Sequence, residues 1–152
     1  MIATVARFDL PYIAMHMRGT VQTMQSKTEY SDVVAEVTDY LATKAAELEQ
    51  NGVRRENIIL DPGFGFAKSV EQNYALLAGL SKVVELGYPV LVGLSRKSMI
   101  YKVLSSTAEE VLAGTVALNW EALRQGATII RVHDVAEAVQ IVNVYDKGFR
   151  GL

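Results

Sequence analysis

Ile58-Ile59-Leu60-Asp61-Pro62-Gly63-Phe64-Gly65-Phe66-Ala67-Lys68 is the stretch on which the fold turns. Three apolar residues run together without polar alternation, and a lone carboxylate then meets Pro-Gly. A strand buried on both faces of a parallel sheet reads this way, its carboxyl end opening into a turn. Three further runs share the character: Tyr12-Ile13-Ala14-Met15-His16-Met17, Val90-Leu91-Val92-Gly93-Leu94 and Thr128-Ile129-Ile130-Arg131-Val132.

The intervening segments have helical period. Val33, Val37, Tyr40, Leu41, Ala45 and Leu48 recur at three- and four-residue steps and form one apolar face, stopped by Asn51-Gly52. Ser69-Val70-Glu71-Gln72 has capping-box spacing and predicts a helix through Tyr74, Leu77 and Leu80 to about Leu86, ended by Gly87 and Pro89. Thr107-Ala108-Glu109-Glu110 predicts a second such start, with a helix to about Gln125 stopped by Gly126. Asp134 is the expected N-cap of a last helix reaching about Lys147. Residues 2–7 read as a helix end directly before the first strand.

Strand and helix thus alternate four times, which implies parallel pairing through right-handed crossovers. Four βα units amount to half of a (β/α)8 barrel, which takes roughly 250 residues. Four strands cannot close a barrel and leave two unpaired edges. Residues 1–152 therefore read as a single partial domain of a larger barrel. A small open α/β sheet, complete in itself, is the alternative.

Composition sets the outer limits. Half of the 152 residues are hydrophobic and 21% are charged, the mix of a folded globular chain. A net charge of −2 offers no basic footprint for nucleic acid. Cysteine is absent, so disulfides and thiolate metal sites are excluded. No apolar run approaches the roughly 18 residues of a membrane helix, and residues 1–7 lack a signal pattern. A soluble, cytoplasmic protein is the expectation.

In parallel α/β sheets, function gathers at the carboxyl ends of the strands. All four ends here are polar: Met15-His16-Met17-Arg18-Gly19-Thr20, the stretch from Asp61 to Lys68, Ser95-Arg96-Lys97-Ser98, and Arg131-Val132-His133-Asp134. Asp61 can be a simple loop-initiating aspartate. Its continuation into Phe64-Gly65-Phe66 favours a ligand role, because the glycines let backbone pass close to a flat molecule and Phe66 offers an aromatic face. A carboxylate fixed there can accept paired N–H donors from an aminopyrimidine. Lys97 and Ser98 precede a short helical segment, where free N–H groups attract anions, whereas Arg96 alone reads better as part of a solvated basic turn. Arg131 and His133 are two residues apart and can face the same side, where they could clamp a phosphate or diphosphate. The plainer alternatives are a salt bridge from Arg131 to Asp134 and a satisfied core histidine. His16, between Met15 and Met17, reads as packing, and Met15 or Met17 could line an apolar wall. No metal-ligand spacing is recognisable.

These motifs resemble the dihydropteroate synthase family. Met15-His16-Met17-Arg18-Gly19-Thr20, with Gln22-Thr23-Met24 after it, is similar to the segment before that family's fifth helix. Leu60-Asp61-Pro62-Gly63-Phe64-Gly65-Phe66, Gly93-Leu94-Ser95-Arg96-Lys97-Ser98 and Arg131-Val132-His133-Asp134-Val135 are similar to its strand-six, strand-seven and strand-eight motifs. All four occur in family order and span nearly the whole chain. The resemblance implies the C-terminal half of a (β/α)8 TIM barrel. It implies condensation of 6-hydroxymethyl-7,8-dihydropterin diphosphate with 4-aminobenzoate to give dihydropteroate and diphosphate.

The resemblance also implies residue roles. Asp61 would bond the pterin's aminopyrimidine edge, and Lys97 its carbonyl and ring-nitrogen side. Met15 and Gly65 would line that pocket. Phe66 would border the 4-aminobenzoate site, and Ser98 with its helix N-terminus would take the carboxylate. Arg131 and His133 would bind diphosphate. Mg²⁺ would assist its departure. The partner would be a second copy in a homodimer, or the N-terminal half. Val21 stands where many relatives carry proline. The family's first four strands, with the magnesium-linked asparagine, have no counterpart here. A non-catalytic pterin- and diphosphate-binding half-barrel, or a pterin-dependent methyltransferase relative, are the alternatives.

Overall fold

The structure, a computed structural model, describes residues 1–19 and 28–149. In chain order it forms α1 (Ile2–Phe8), β1 (Tyr12–Met15), α2 (Val33–Gln50), β2 (Ile58–Asp61), α3 (Val70–Ala78), α4 (Leu80–Val84), β3 (Leu91–Val92), α5 (Ser98–Tyr101), α6 (Leu112–Arg124), β4 (Ile129–Ile130) and α7 (Val135–Gly148). The observed pairing is parallel. β1 lies beside β2 with Met15 opposite Asp61, and β3 lies beside β4 with Val92 opposite Ile130. A bridge from Leu60 to Val90 joins the two pairs. Parallel register brings all four carboxyl ends to one side, which positions the site.

The strands are shorter than their apolar runs. β3 and β4 keep two residues each because side chains replace ladder bonds at their margins. The Val90 N–H donates to Thr128 Oγ1 at 2.9 Å, and the chain leaves the strand at Gly93. β3 is buried on both faces at Leu91 and Val92, and β2 buries Ile58, Leu60 and Asp61 with Ile59 half-buried. The outer strands differ: Ile13 of β1 is 46% exposed and Ile129 of β4 is 36% exposed.

The helix from Val33 forms as its apolar face dictates, burying Val33, Val37, Leu41, Ala45 and Leu48. Asp32 caps it by accepting from the Val34 and Ala35 N–H groups, and Gly52 follows at φ 86°. The Ser69 capping box is present in both directions.

Two helix boundaries differ from the sequence reading, and a third helix starts as expected without its cap bond. The helix expected to run to about Leu86 breaks at Gly79 into α3 and α4. Gly79 sits against Val34 of α2, where a Cβ would meet both methyls at 2.8 Å. The helix expected from Thr107 begins at Leu112, and Val111 caps it without a side-chain bond. The carbonyls of Ala108 and Glu109 accept instead from the Arg96 guanidinium, which holds that segment in turns. Asp134 occupies the N-cap position of α7 but makes no cap bond, because Arg96 takes its carboxylate.

The expectation that His16 packs rather than reacts agrees with its position. It is 2% exposed just beyond β1, with the Tyr40 ring edge-on at 4.9 Å. Among the described residues, no helix is long and apolar enough to cross a membrane.

The His16 environment makes a pH prediction. Burial first, then the charges of Lys68 and Arg18, lower its pKa from 6.5 to about 4. Between those values the unfolded chain binds a proton that the folded chain refuses, so stability falls as pH drops from about 6.5 towards 4. Urea unfolding across this window is expected to show that slope in the native chain and a shallower one in His16→Gln. Equal slopes would mean that His16 does not control acid stability.

Candidate active site

Asp61 is the last residue of β2 and is 1% exposed. Its Oδ1 accepts from the Gly63 N–H at 2.8 Å. Its Oδ2 is buried and has no hydrogen-bond partner; the nearest cation is Arg131 Nη2 at 3.7 Å. Burial raises the Asp61 pKa, opposed by the Gly63 N–H and by the charges of Arg131, Lys97 and Lys68. A buried polar atom without a partner is uncommon in folded proteins and calls for an explanation. Glycine is obligatory beside it. Gly63 has φ 71°, and a Cβ there would lie 1.9 Å from the His16 carbonyl oxygen.

Lys97 comes from the β3 side, and its charge acts on Asp61. It stands at the N-cap of α5, and its Nζ donates to the Phe64 carbonyl while lying 4.7 Å above the Phe66 ring. Gly65, at φ 79°, leaves room for its stem, since a Cβ would meet Lys97 Cδ at 3.1 Å. Burial lowers the Lys97 pKa to about 8; Asp61 pulls it up and Arg131 pushes it down.

Arg96, read from sequence as part of a solvated turn, is a structural clamp. Its guanidinium bonds both oxygens of Asp134, at 3.0 and 2.7 Å, and its backbone N–H donates to Thr115 Oγ1 at 3.1 Å. The backbone at Arg96 is left-handed, with φ 56°. The suggested bridge from Arg131 to Asp134 is therefore not the one formed: Asp134 pairs with Arg96, and Arg131 turns to Asp61.

Arg131 and His133 face one cavity of about 120 Å³, lined also by Gly93, Ser95, Lys97 and Val132. Gly93 makes the arrangement possible, since a Cβ there would lie 2.9 Å from Arg131 Nη2. Ser95 Oγ accepts from the His133 N–H at 3.2 Å and meets His133 Nδ1 at 2.9 Å. His133 is exposed, so it is not a core histidine. A wider apolar cavity of about 230 Å³ lies between β4 and α7, but no ionisable side chain lines it.

The remaining predicted residues surround this centre. Met15 is half-buried and in register with Asp61; Phe66 is half-buried under Lys97; Ser98 is the half-buried first residue of α5. Residues 20–24 of the first motif lie outside the described residues. Sequence reasoning missed Lys68, Asn73 and Ser95. Asn73 Oδ1 accepts from the Gly65 N–H at 2.7 Å. Lys68 is buried against His16 and the 63–66 turn. A lysine before a capping box is an ordinary surface signal, so only packing reveals it. Among the described residues, no three His, Cys, Asp or Glu side chains form a group able to hold a metal ion.

The arrangement joins a buried, unsatisfied carboxylate to an aromatic face and a cationic cavity. Such a site suits a flat hydrogen-bond donor with an anionic appendage. Comparison with known proteins is consistent with this chemistry. The sequence pattern of the family described as pterin binding enzyme matches residues 1–133. The chain is 45% identical over 145 residues to the dihydropteroate synthase of Escherichia coli K12, covering 95% of this chain and 51% of that protein. It superposes on the Thermus thermophilus dihydropteroate synthase in complex with 4-aminobenzoate with a TM-score of 0.93 at 38% identity. That match covers 98% of this chain and 61% of the other. The same enzyme in complex with 6HMPPP gives a TM-score of 0.93 at 38% identity, covering 98% and 59%. The chain spans about half the length of the curated relatives it matches. With its strand-end motifs in place and the family pattern covering most of its length, the chain belongs to the pterin binding enzyme family.

Proposed function

We propose that this chain is the C-terminal half of a dihydropteroate synthase: a single partial domain of four βα units from a (β/α)8 TIM barrel, working in the cytoplasm. The observation that carries the reading is the buried, unpartnered Oδ2 of Asp61, which has Arg131 and Lys97 as neighbouring charges and lies beside the Arg131–His133 cavity. The chain's likeness to enzymes solved with 4-aminobenzoate and with 6HMPPP supports it.

In this reading Asp61 accepts the pterin's paired N–H donors, and Lys97 donates to its carbonyl and ring-nitrogen side. Met15 and Gly65 line the pterin pocket. Phe66 borders the arylamine, and Ser98 with the start of α5 takes the 4-aminobenzoate carboxylate. Arg131 and His133 hold the diphosphate. The C–O bond from the pterin methylene to diphosphate breaks, and the arylamine nitrogen bonds to that carbon and releases a proton. Cations at the departing anion and a carboxylate at the ring stabilise the charges that separate as the bond breaks. Mg²⁺ would add charge neutralisation at the diphosphate. The resemblance places the magnesium-linked asparagine in the family's first four strands, so its protein ligand is assigned to the complementary half and no step is drawn through it. The functional unit is completed by that half or a second copy. The chain's coverage of only half of its relatives keeps a second reading, a binding half-barrel without turnover. A methyltransferase has no diphosphate to occupy the Arg131–His133 cavity.

Calorimetry with 6-hydroxymethyl-7,8-dihydropterin diphosphate tests the pocket. Asp61→Asn is expected to remove a charge-assisted bond worth roughly 1.5–3 kcal/mol, or about tenfold to 150-fold in Kd. A folded native chain that binds none would show that the complementary half is needed for the pocket. Lys97 supplies a pH signature: affinity should fall as pH rises through about 8, where its ammonium is lost, and Lys97→Met should flatten that limb. An unchanged limb would remove Lys97 from the pterin contact. Asp134→Ala frees Arg96 and should weaken diphosphate binding without touching the ligand. Unaltered affinity for inorganic diphosphate would show that the Arg96–Asp134 clamp does not set the cavity.

A further inference from the structure

Lys68 lies beneath the site rather than in it. It is 5% exposed. Its Nζ donates to the Gly63 carbonyl at 2.9 Å and the Phe66 carbonyl at 3.0 Å, and meets His16 Nδ1 at 3.1 Å. An ammonium carries three donors and no acceptor, so these three partners satisfy it fully. His16 can accept at Nδ1 only as the neutral tautomer protonated at Nε2, and its lowered pKa keeps the ring neutral near pH 7.

The two carbonyls bracket Phe64-Gly65, and the Phe66 N–H closes the same turn on the Gly63 carbonyl at 3.1 Å. From α3, Asn73 holds the Gly65 N–H and donates to the Lys68 and Ser69 carbonyls at 3.3 and 2.6 Å. Gly63 in turn supplies the one hydrogen bond that the Asp61 carboxylate receives among the described residues. One buried cation therefore fixes both the donor to Asp61 and the segment that carries Phe66.

Its charge acts on the same carboxylate. The charges of Arg131, Lys97 and Lys68 all act on Asp61, and Lys68 also feels those of Lys97 and Arg18. Glu36 of α2 pairs with Arg18 and acts on His16. Lys97 and Arg131 line the cavity, whereas Lys68 is bonded into the core. Burial lowers the Lys68 pKa to about 7 and Asp61 raises it, so each group favours the charged form of the other.

We propose that Lys68 is a positioning residue of this site: its buried ammonium clamps the 63–66 turn and is the core-side counter-charge of Asp61. Only the ligand arm of the test depends on the proposed function.

The test is a carboxyl-carbon NMR titration of the full chain without ligand, with Asp61 assigned by Asp61→Asn. Lys68→Gln keeps two donors but no charge, and Lys68→Met removes both. The expected result is an Asp61 midpoint raised by about half a unit or more in both. In Lys68→Met, the Gly65 and Phe66 amides should also exchange at least about tenfold faster. Should Lys68→Met fail to fold, Lys68→Gln decides alone. An Asp61 titration unchanged in folded Lys68→Gln overturns the proposal. With ligand, Lys68→Gln should bind 6-hydroxymethyl-7,8-dihydropterin diphosphate more weakly than the native chain at pH 7, and equal affinity would also count against Lys68. A native chain that binds no pterin would show that the complementary half is needed for the pocket, and the ligand-free titration still decides the role of Lys68.

Discussion

A carboxylate withdrawn from water at the end of a strand is costly unless charges and donors surround it. Asp61 is that carboxylate, and much of the local architecture follows from accommodating it. β2 delivers it to the common carboxyl side of the sheet. Gly63 approaches the β1 segment closely enough to place an N–H on Oδ1, and Gly93 leaves Arg131 the space to lie within 3.7 Å of Oδ2. Lys97 comes from the third loop and Lys68 from the core. Three cations still leave one oxygen without a hydrogen bond, an acceptor that the proposed ligand would complete.

Holding it open requires unfavourable backbone. Ala67 and Arg96 adopt left-handed conformations at φ 52° and 56°, and such residues cost about 1–3 kcal/mol each. Both lie in loops that carry site residues. Each loop is over-determined by side chains bonded to backbone. Lys68 and Asn73 hold the one containing Ala67; Thr115, Asp134 and the Ala108 and Glu109 carbonyls hold the one containing Arg96. The bonds that displaced the expected start of α6 and the expected cap of α7 are thus the ones that stabilise the strained loop before Lys97.

Sequence reasoning succeeded where a local rule decides structure. The apolar period from Val33 to Leu48, the Ser69 capping box and the burial of Ile58 and Leu60 need no knowledge of distant partners. The placement of Asp61, Arg131 and His133 together at the strand ends was legible because strand ends collect polar residues in parallel sheets. It failed where a distant residue outbids a local one. Thr107 and Asp134 have the chemistry of caps, but Arg96 competes for both segments from the β3 loop. Gly79 breaks a helix that its neighbours favour because Val34, 45 positions earlier, fills the space of its side chain. Lys68 was invisible because a lysine is normally solvated, and only the converging His16, Gly63 and Phe66 acceptors make burial tolerable.

Burial divides the sheet into an inner and an outer part. β2 and β3 are inner strands, largely buried, and they carry Asp61 and lead into Lys97. β1 and β4 are the outer strands, where Ile13 and Ile129 face outward, and Val135 and Val139 on α7 are 62% and 51% exposed. Arg131 follows β4, and its side chain is 54% exposed. Under the proposed function, recognition of a flat donor edge would rest on the enclosed middle of the sheet, and the anion clamp would sit on an outer strand with apolar surface beside it. A guanidinium in water loses much of its electrostatic strength, because the effective dielectric constant there is high. In the proposed barrel, the strands that cover β4 would exclude that water and strengthen Arg131 against a departing diphosphate. Under the proposed function, ligand recognition would rest mainly on this chain, and leaving-group stabilisation would need the surface that encloses Arg131.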